Sequence, residues 1–296
     1  MKNFCVSVIL VAMLAVAFPA SAILVDAVDE QQSLAMGASY LWMGCAAAWD
    51  YEGSNRHRTG SCSLISNNQT DGAWIITAGH AVTDMGGVEF WKIIRYNFQG
   101  GYFDAFPRET HSYLPEKCVT AIHDKIFRHP SRDIALVKLE HLVYSASGDL
   151  ITPPEFYREA INSEQTILFG GAGQSGIPAQ GGVGGTGYRD GYDRCCRGVF
   201  DYMSPFRPGT AWMDFSRTVP LPGIGCSGDS GGMVCIESGD KVLLAGVLVL
   251  VSGSGERTST AFEFFNYEPT LFEWIEGLID DNAEHPSSVE SWEAYQ

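Results

Sequence analysis

The sequence predicts an all-β protein with one helix near its carboxyl end. Short runs such as Ala73-Trp74-Ile75-Ile76-Thr77-Ala78 and Ile134-Ala135-Leu136-Val137-Lys138-Leu139 have the length and composition of strands buried on both faces. The 296-residue chain also holds 33 Gly and 13 Pro, which supply many turns. Near the end, residues 269–279 place Leu271, Phe272, Trp274, Ile275, Leu278 and Ile279 at near-helical spacing, with Pro269 where a first turn tolerates it.

Residues 1–22 join Lys2, an apolar run over 6–18 and the small-residue ending Ala20-Ser21-Ala22. That is the pattern of a secretory signal, and the run falls short of the roughly 20 residues that span a bilayer. Over 34–48 the chain is apolar and small, so Tyr40, Trp42 and Met43 are expected in early strands. Residues 50–59 are charged and turn-like. Strands follow over 60–65 and 73–78, and the turn between them carries the sequon Asn68-Gln69-Thr70, an acceptor for N-glycosylation where the source glycosylates exported chains.

Residues 91–102 are β-prone, 103–115 form a loop, and 120–130 lead into Asp133 and the core strand after it. The stretch 140–165, with Pro153-Pro154, is the expected crossing between two halves. Residues 166–170 resume β structure. Glycine dominates 170–187, but no Gly-Lys-Ser/Thr ending follows, so turns and a surface loop are expected rather than a phosphate cradle. Aromatics over 200–215 suit core strands or a cleft border equally. Beyond residue 280 the chain is an acidic tail.

A formal charge of -16 argues against nucleic acid or an anionic membrane as partner, since both reward a basic face. Of eight cysteines, Cys5 lies in the signal, leaving Cys45, Cys62, Cys118, Cys195, Cys196, Cys226 and Cys235. An exported chain with this many is expected to form disulfides, and the odd number leaves at least one thiol free or paired between chains. Adjacent Cys195 and Cys196 hardly bond each other without strain. There is no repeated C-x-x-C and no H-E-x-x-H, so zinc is not expected.

The chemistry centres on Gly225-Cys226-Ser227-Gly228-Asp229-Ser230-Gly231-Gly232, a serine in a glycine-rich turn. A serine hydroxyl is a weak nucleophile, so it needs a base within hydrogen-bond reach and a third group to fix that base's tautomer. Upstream, His80 closes Thr77-Ala78-Gly79-His80 and Asp133 follows Arg132 at the head of a strand. His57, His111, His123 and His129 have no such frame and read as surface or structural residues.

The three words, in the order His, Asp, Ser, resemble the trypsin/chymotrypsin family of serine endopeptidases over about residues 23–280. The resemblance implies two packed antiparallel β-barrels with a C-terminal helix, divided as signal 1–22, N-terminal barrel 23–150, C-terminal barrel 151–268, helix 269–280 and tail 281–296. It implies a catalytic set of His80, Asp133 and Ser230, with the N–H groups of Gly228 and Ser230 as oxyanion hole. The hydrolysis this implies requires no metal or other cofactor. Cleavage after Ala22 would free Ile23, whose ammonium is expected to pair with buried Asp229 as in that family's activation. The family's cysteine after the histidine is replaced by Ala81, so Cys62 needs another partner, and Cys45 is the nearest candidate.

Six residues before Ser230 the family places the base of its primary pocket, here Ile224. Trypsin-like preference needs a carboxylate there, so apolar or small residues are expected at the cleaved position. Residues 246–253 resemble the strand that pairs with substrate, with Ser252 and Gly253 as the remnant of its signature. After Gly232 the sequence Met233-Val234-Cys235 departs from the family pattern. The expected protein is a secreted, monomeric serine endopeptidase that acts on protein or peptide substrates, with no nucleic acid partner and no membrane after signal cleavage. The alternative is a secreted non-catalytic homologue that uses the same fold for binding. An α/β-hydrolase esterase, a second rival, orders its serine first within G-x-S-x-G.

Overall fold

The computed structural model describes residues 23–26, 29–49, 58–82, 93–98, 119–139, 141–145, 147–173, 193–205, 209–253, 259–267 and 269–280. The expected signal over 1–22, most of the expected glycine-rich loop, the expected tail over 281–296, Cys118, His57 and His111 lie outside these residues.

Six strands close into an antiparallel barrel in the order β2 (Met43–Trp49), β3 (Arg58–Asn68), β4 (Gly72–Thr77), β7 (Ala135–Leu139), β6 (Val119–Arg128) and β5 (Ile93–Phe98). Five of the six residues of β4 are buried, as the unbroken apolar run requires. Asn67 ties the crossing segment to this barrel. Its Nδ2 donates to Val143 O at 2.7 Å and Ile151 O at 2.8 Å, and its Oδ1 accepts from Val143 N at 2.9 Å.

The second half differs from the expected closed barrel. Its strands form a seven-stranded antiparallel sheet in the order β10 (Tyr202–Met203), β11 (Thr210–Asp214), β15 (Ser259–Phe264), β14 (Lys241–Ser252), β13 (Met233–Ser238), β8 (Thr166–Gly171) and β9 (Arg194–Val199). Among the described residues its outer strands β10 and β9 are not joined in a ladder. One apolar cluster nevertheless runs through both halves, uniting Trp74, Ile76 and Leu136 with Leu168, Met233 and Val247. The C-terminal helix α2 (Pro269–Asp280) lays Leu271, Phe272, Ile275, Leu278 and Ile279 into the same cluster. No described helix is long and apolar enough to cross a membrane, which says nothing of strands.

The chain between Ile23 and the barrel belongs with the second half. The short strand β1 (Leu24–Val25) pairs with β12 (Gly223–Ile224) in the register Leu24↔Ile224. Helix α1 (Glu30–Ser39) follows, where the sequence suggested no helix; of Tyr40, Trp42 and Met43, expected in early strands, Met43 opens β2 and the other two precede it. Its buried face consists of Ser33 and Gly37, one turn apart, rather than an apolar stripe. Ser33 Oγ donates to Cys195 O at 2.7 Å, and a Cβ on Gly37 would lie 2.2 Å from Asp193 O. Small residues thus let the helix backbone approach β9, and Arg194 closes on Glu30 at 2.8 Å.

The expected disulfides are overturned. Cys62, Cys195, Cys196, Cys226 and Cys235 are buried thiols, and no disulfide joins described residues. The register explains why the suggested Cys45–Cys62 bridge is not favoured: Cys62 stands opposite Gly44, and Cys45 opposite Ser61. Cys62, Cys195 and Cys235 instead fill the shared core, and a chain of this size can bury enough apolar surface without crosslinks. Burial pushes the thiols of Cys62, Cys195, Cys196 and Cys235 well above their ordinary range. Peptides bearing these four cysteines are therefore expected to escape iodoacetamide at pH 8 in the folded protein and to react fully in denaturant. Mass spectrometry checks this, and alkylation of the folded chain would contradict it.

Candidate functional site

His80 sits in a single 3-10 turn (Gly79–Ala81) directly after β4, and Ala78 is the last extended residue before it. Asp133 lies just ahead of β7, the neighbour of β4 in the barrel. Pairing of these strands therefore brings the two residues together although 53 positions separate them. The carboxylate uses both oxygens on His80: Oδ1 accepts the backbone N–H at 2.8 Å, and Oδ2 lies 2.6 Å from the ring Nδ1. With Asp133 ionised, Nδ1 carries the proton and Nε2 is left as the acceptor. His80 is 46% exposed and Asp133 24%, so the ring reaches solvent while the carboxylate backs it.

Glycine at position 79 permits this geometry, because a Cβ there would stand 3.1 Å from Asp133 Oδ1 and 3.0 Å from Arg128 Nε. Burial by itself would push the Asp133 carboxyl up. The ring hydrogen bond and charge of His80, its backbone N–H and the charge of Arg128 outweigh burial and hold it below its ordinary value. A depressed carboxylate stabilises the fold above its unfolded pKa, and that contribution is lost as pH falls through the lower folded value.

Ser230 lies in a turn whose backbone is fixed from several directions. Ser230 O accepts from Ser61 N at 2.7 Å, Gly231 N donates to Leu248 O at 2.6 Å, and Gly232 N donates to Asp229 O at 2.7 Å. Gly228 and Gly231 take φ of +97° and +86°, a region open to glycine at little cost. A Cβ on Gly231 would stand 2.1 Å from both Ser61 O and Thr77 Oγ1 and 2.8 Å from Ala78 N. The serine turn thus packs on the ends of β3 and β4, beside the turn that holds His80.

Asp229 is fully buried. Its Oδ1 accepts from Gly173 N at 2.8 Å and its Oδ2 from Cys226 N at 2.7 Å. Next to it Ser61 Oγ accepts from Ala172 N at 2.8 Å and donates to Gly228 O at 3.1 Å. Ile23 is also fully buried, in a cluster with Val25, Phe169 and Cys196. Ile224 has no exposed surface and packs with Leu24, Cys226 and Phe215.

Ser252 and Gly253 are exposed at the far end of β14, where Ser252 faces Ser259. The part of β14 that meets the serine turn is Leu248, whose N–H also donates to Gly232 O at 2.9 Å. Leu250, two residues on and 46% exposed, follows an irregularity in the ladder between Leu248 and Leu250. A second irregularity falls between Val234 and Cys235. Register across two such shifts cannot be counted along a sequence. Sequence reading also passed over Ser61 and Thr77, buried hydroxyls in strands otherwise read as apolar; Thr77 Oγ1 donates to Ser61 O at 2.7 Å.

Asn68 is exposed in its turn, where Oδ1 accepts from Thr70 N and Asp71 N at 2.9 Å and Nδ2 donates to Asp71 Oδ2 at 2.7 Å. Among the described residues no three His, Cys, Asp or Glu side chains cluster as metal ligands would.

No protein-family model matches the chain. No curated protein matches it either. Among solved structures, a mutant of human heparin binding protein superposes with a TM-score of 0.59 at 15% identity, covering 85% of this chain and 96% of that one. Human heparin binding protein itself gives 0.58 at 17% identity with the same coverage. The likeness is one of fold, and the fold is of the trypsin/chymotrypsin type.

Proposed function

We propose that this chain is an exported serine endopeptidase in which Ser230 attacks the peptide carbonyl, His80 moves the proton and Asp133 orients His80. The observation that carries the proposal is the pair of hydrogen bonds between His80 and Asp133, in which one carboxylate oxygen accepts the backbone N–H and the other the ring Nδ1–H. That arrangement serves a histidine that must present Nε2 as a base and then bear a positive charge. A histidine filling space needs no carboxylate aligned on both its ring and its N–H.

In this reading the N–H groups of Gly228 and Ser230 stabilise the oxyanion, water releases the acyl enzyme, and no cofactor takes part. Ile224, fully buried against Leu24, would lie beneath the primary pocket and give it an apolar floor without a carboxylate. The contact of Leu248 with the serine turn supports a substrate-pairing segment that begins near residues 248–250 and runs towards Ser252 and Gly253. Cleavage after Ala22 would place a new ammonium on Ile23, and Ile23 and Asp229 would offset each other's desolvation. The signal-like segment supports export, and Asn68 stands exposed for glycosylation.

A second reading is a non-catalytic binding protein on the same fold. The structural neighbours back it more than they back hydrolysis, since both are described by the heparin they bind. A net charge of -16 repels a polyanion, so any such ligand here would be of another kind.

A fluorophosphonate probe on the folded, processed chain separates the two. Labelling at Ser230 is expected, followed by turnover of peptides with apolar or small residues at the cleaved position. Absence of labelling in folded protein supports the binding reading, and strong preference for Arg or Lys would overturn the role given to Ile224.

A further inference from the structure

The loop that carries Asp133 is held from the opposite half of the molecule. Arg132 reaches Glu263 on β15, where Nε donates to Oε2 at 2.7 Å and Nη2 lies 2.5 Å from the same oxygen. The other oxygen of Glu263 accepts from Thr210 Oγ1 at 2.8 Å, on the neighbouring strand β11. The two charged side chains are 6% and 4% exposed. Gly209 completes the seat: its φ is +81°, and a Cβ there would lie 2.0 Å from the Arg132 guanidinium.

The other end of the loop is tied to α2. The ring Nδ1 of His129 accepts from Arg132 N at 3.1 Å and Ser131 N at 3.3 Å, and its backbone N–H donates to Ile134 O at 2.9 Å. That ring meets Trp274 edge-on, with centroids 4.8 Å apart. A buried ion pair adds little net stability, because desolvation cancels much of the attraction. What a guanidinium fork supplies is a fixed geometry.

We propose that the Arg132–Glu263 pair is a positioning device, through which the second sheet sets where Asp133 meets His80. Neither residue touches the reacting atoms. Asp133 spends both oxygens on His80, so a shift of the loop weakens both bonds together. The catalytic consequence rests on the hydrolase reading, whereas the effect on the His80–Asp133 contact does not.

The test compares the full processed chain with the double variant Arg132→Met/Glu263→Leu and with Arg132→Lys. The double variant replaces the pair by apolar groups of similar volume, a change that is often neutral or stabilising. Four quantities are read: the melting temperature, the 15N shift of His80 Nδ1 in histidine-labelled protein, and kcat and KM on one peptide. The double variant is expected to fold and to melt a few degrees below the parent, because Thr210 Oγ1 loses its buried acceptor. Its Nδ1 shift moves toward that of a free imidazole, and kcat falls about 100-fold, the cost of a misplacement near 1 Å, while KM changes little. Arg132→Lys, which keeps the charge and loses the fork, moves the same way by less and serves where the double variant does not fold.

A purely structural pair would lower the melting temperature of Arg132→Lys and leave both the Nδ1 shift and kcat in place; that result overturns the proposal. A parent that hydrolyses no peptide, yet whose Nδ1 shift moves in the variants, overturns the hydrolase reading and upholds the positioning role.

Discussion

Ser230→Ala is expected to lower kcat/KM on a preferred peptide by about ten-thousand- to million-fold, the range seen when a serine nucleophile is removed from a hydrolase. The fold is expected to survive. The bonds that fix the turn run through the backbone of residues 229–232 to Ser61 and Leu248, and none of them uses the Ser230 hydroxyl. The melting temperature should therefore stay within a few degrees of the parent, since a small change at a partly buried side chain costs about 1 kcal/mol or less. Unchanged turnover in the folded variant would place the nucleophile elsewhere and sink the proposed function. His80→Ala is expected to cost nearly as much alone and little more in combination, because residues that act as a unit are not additive.

Gly231→Ala is expected to damage the fold itself. At φ of +86° a side chain is strained before any contact is considered. Its Cβ would then meet Ser61 O and Thr77 Oγ1 at 2.1 Å. The first is backbone within the barrel, and the second is held by its own hydrogen bond to that oxygen. Neither can yield cheaply in a close-packed interior, so a loss of about 4 kcal/mol or more is expected. At this chain length that lowers the melting temperature by roughly 10 °C. Calorimetry of the variant is the check. A melting temperature equal to the parent's would mean that the serine turn does not sit against β3 and β4 as described.

These two residues also separate what could be read in advance from what could not. Strands such as β4 and β7 are legible because a continuous apolar run of that length buries on both faces whatever surrounds it. Helix α2 is legible from its spacing. Helix α1 was not, because its buried face is Ser33 and Gly37 and its partner is the backbone of β9. Small residues announce a close approach without naming what approaches. The expected disulfides failed for a related reason. Cysteine counts report a redox compartment, whereas the register that sets Cys62 opposite Gly44 is a property of the folded ladder.

The sequence by itself determined the residue types and order on which the proposed chemistry rests, because His80, Asp133 and Ser230 each stand in a short local frame of turn and strand residues. Tertiary structure decided how they are held. The pairing of β4 with β7 sets Asp133 on both N–H groups of His80. Backbone bonds of Leu248 to Gly231 and Gly232 set β14 against the serine turn, and Arg132 reaches across the molecule to Glu263. Local propensity is written over a few residues, but register and long-range ion pairs arise only when distant strands settle against one another.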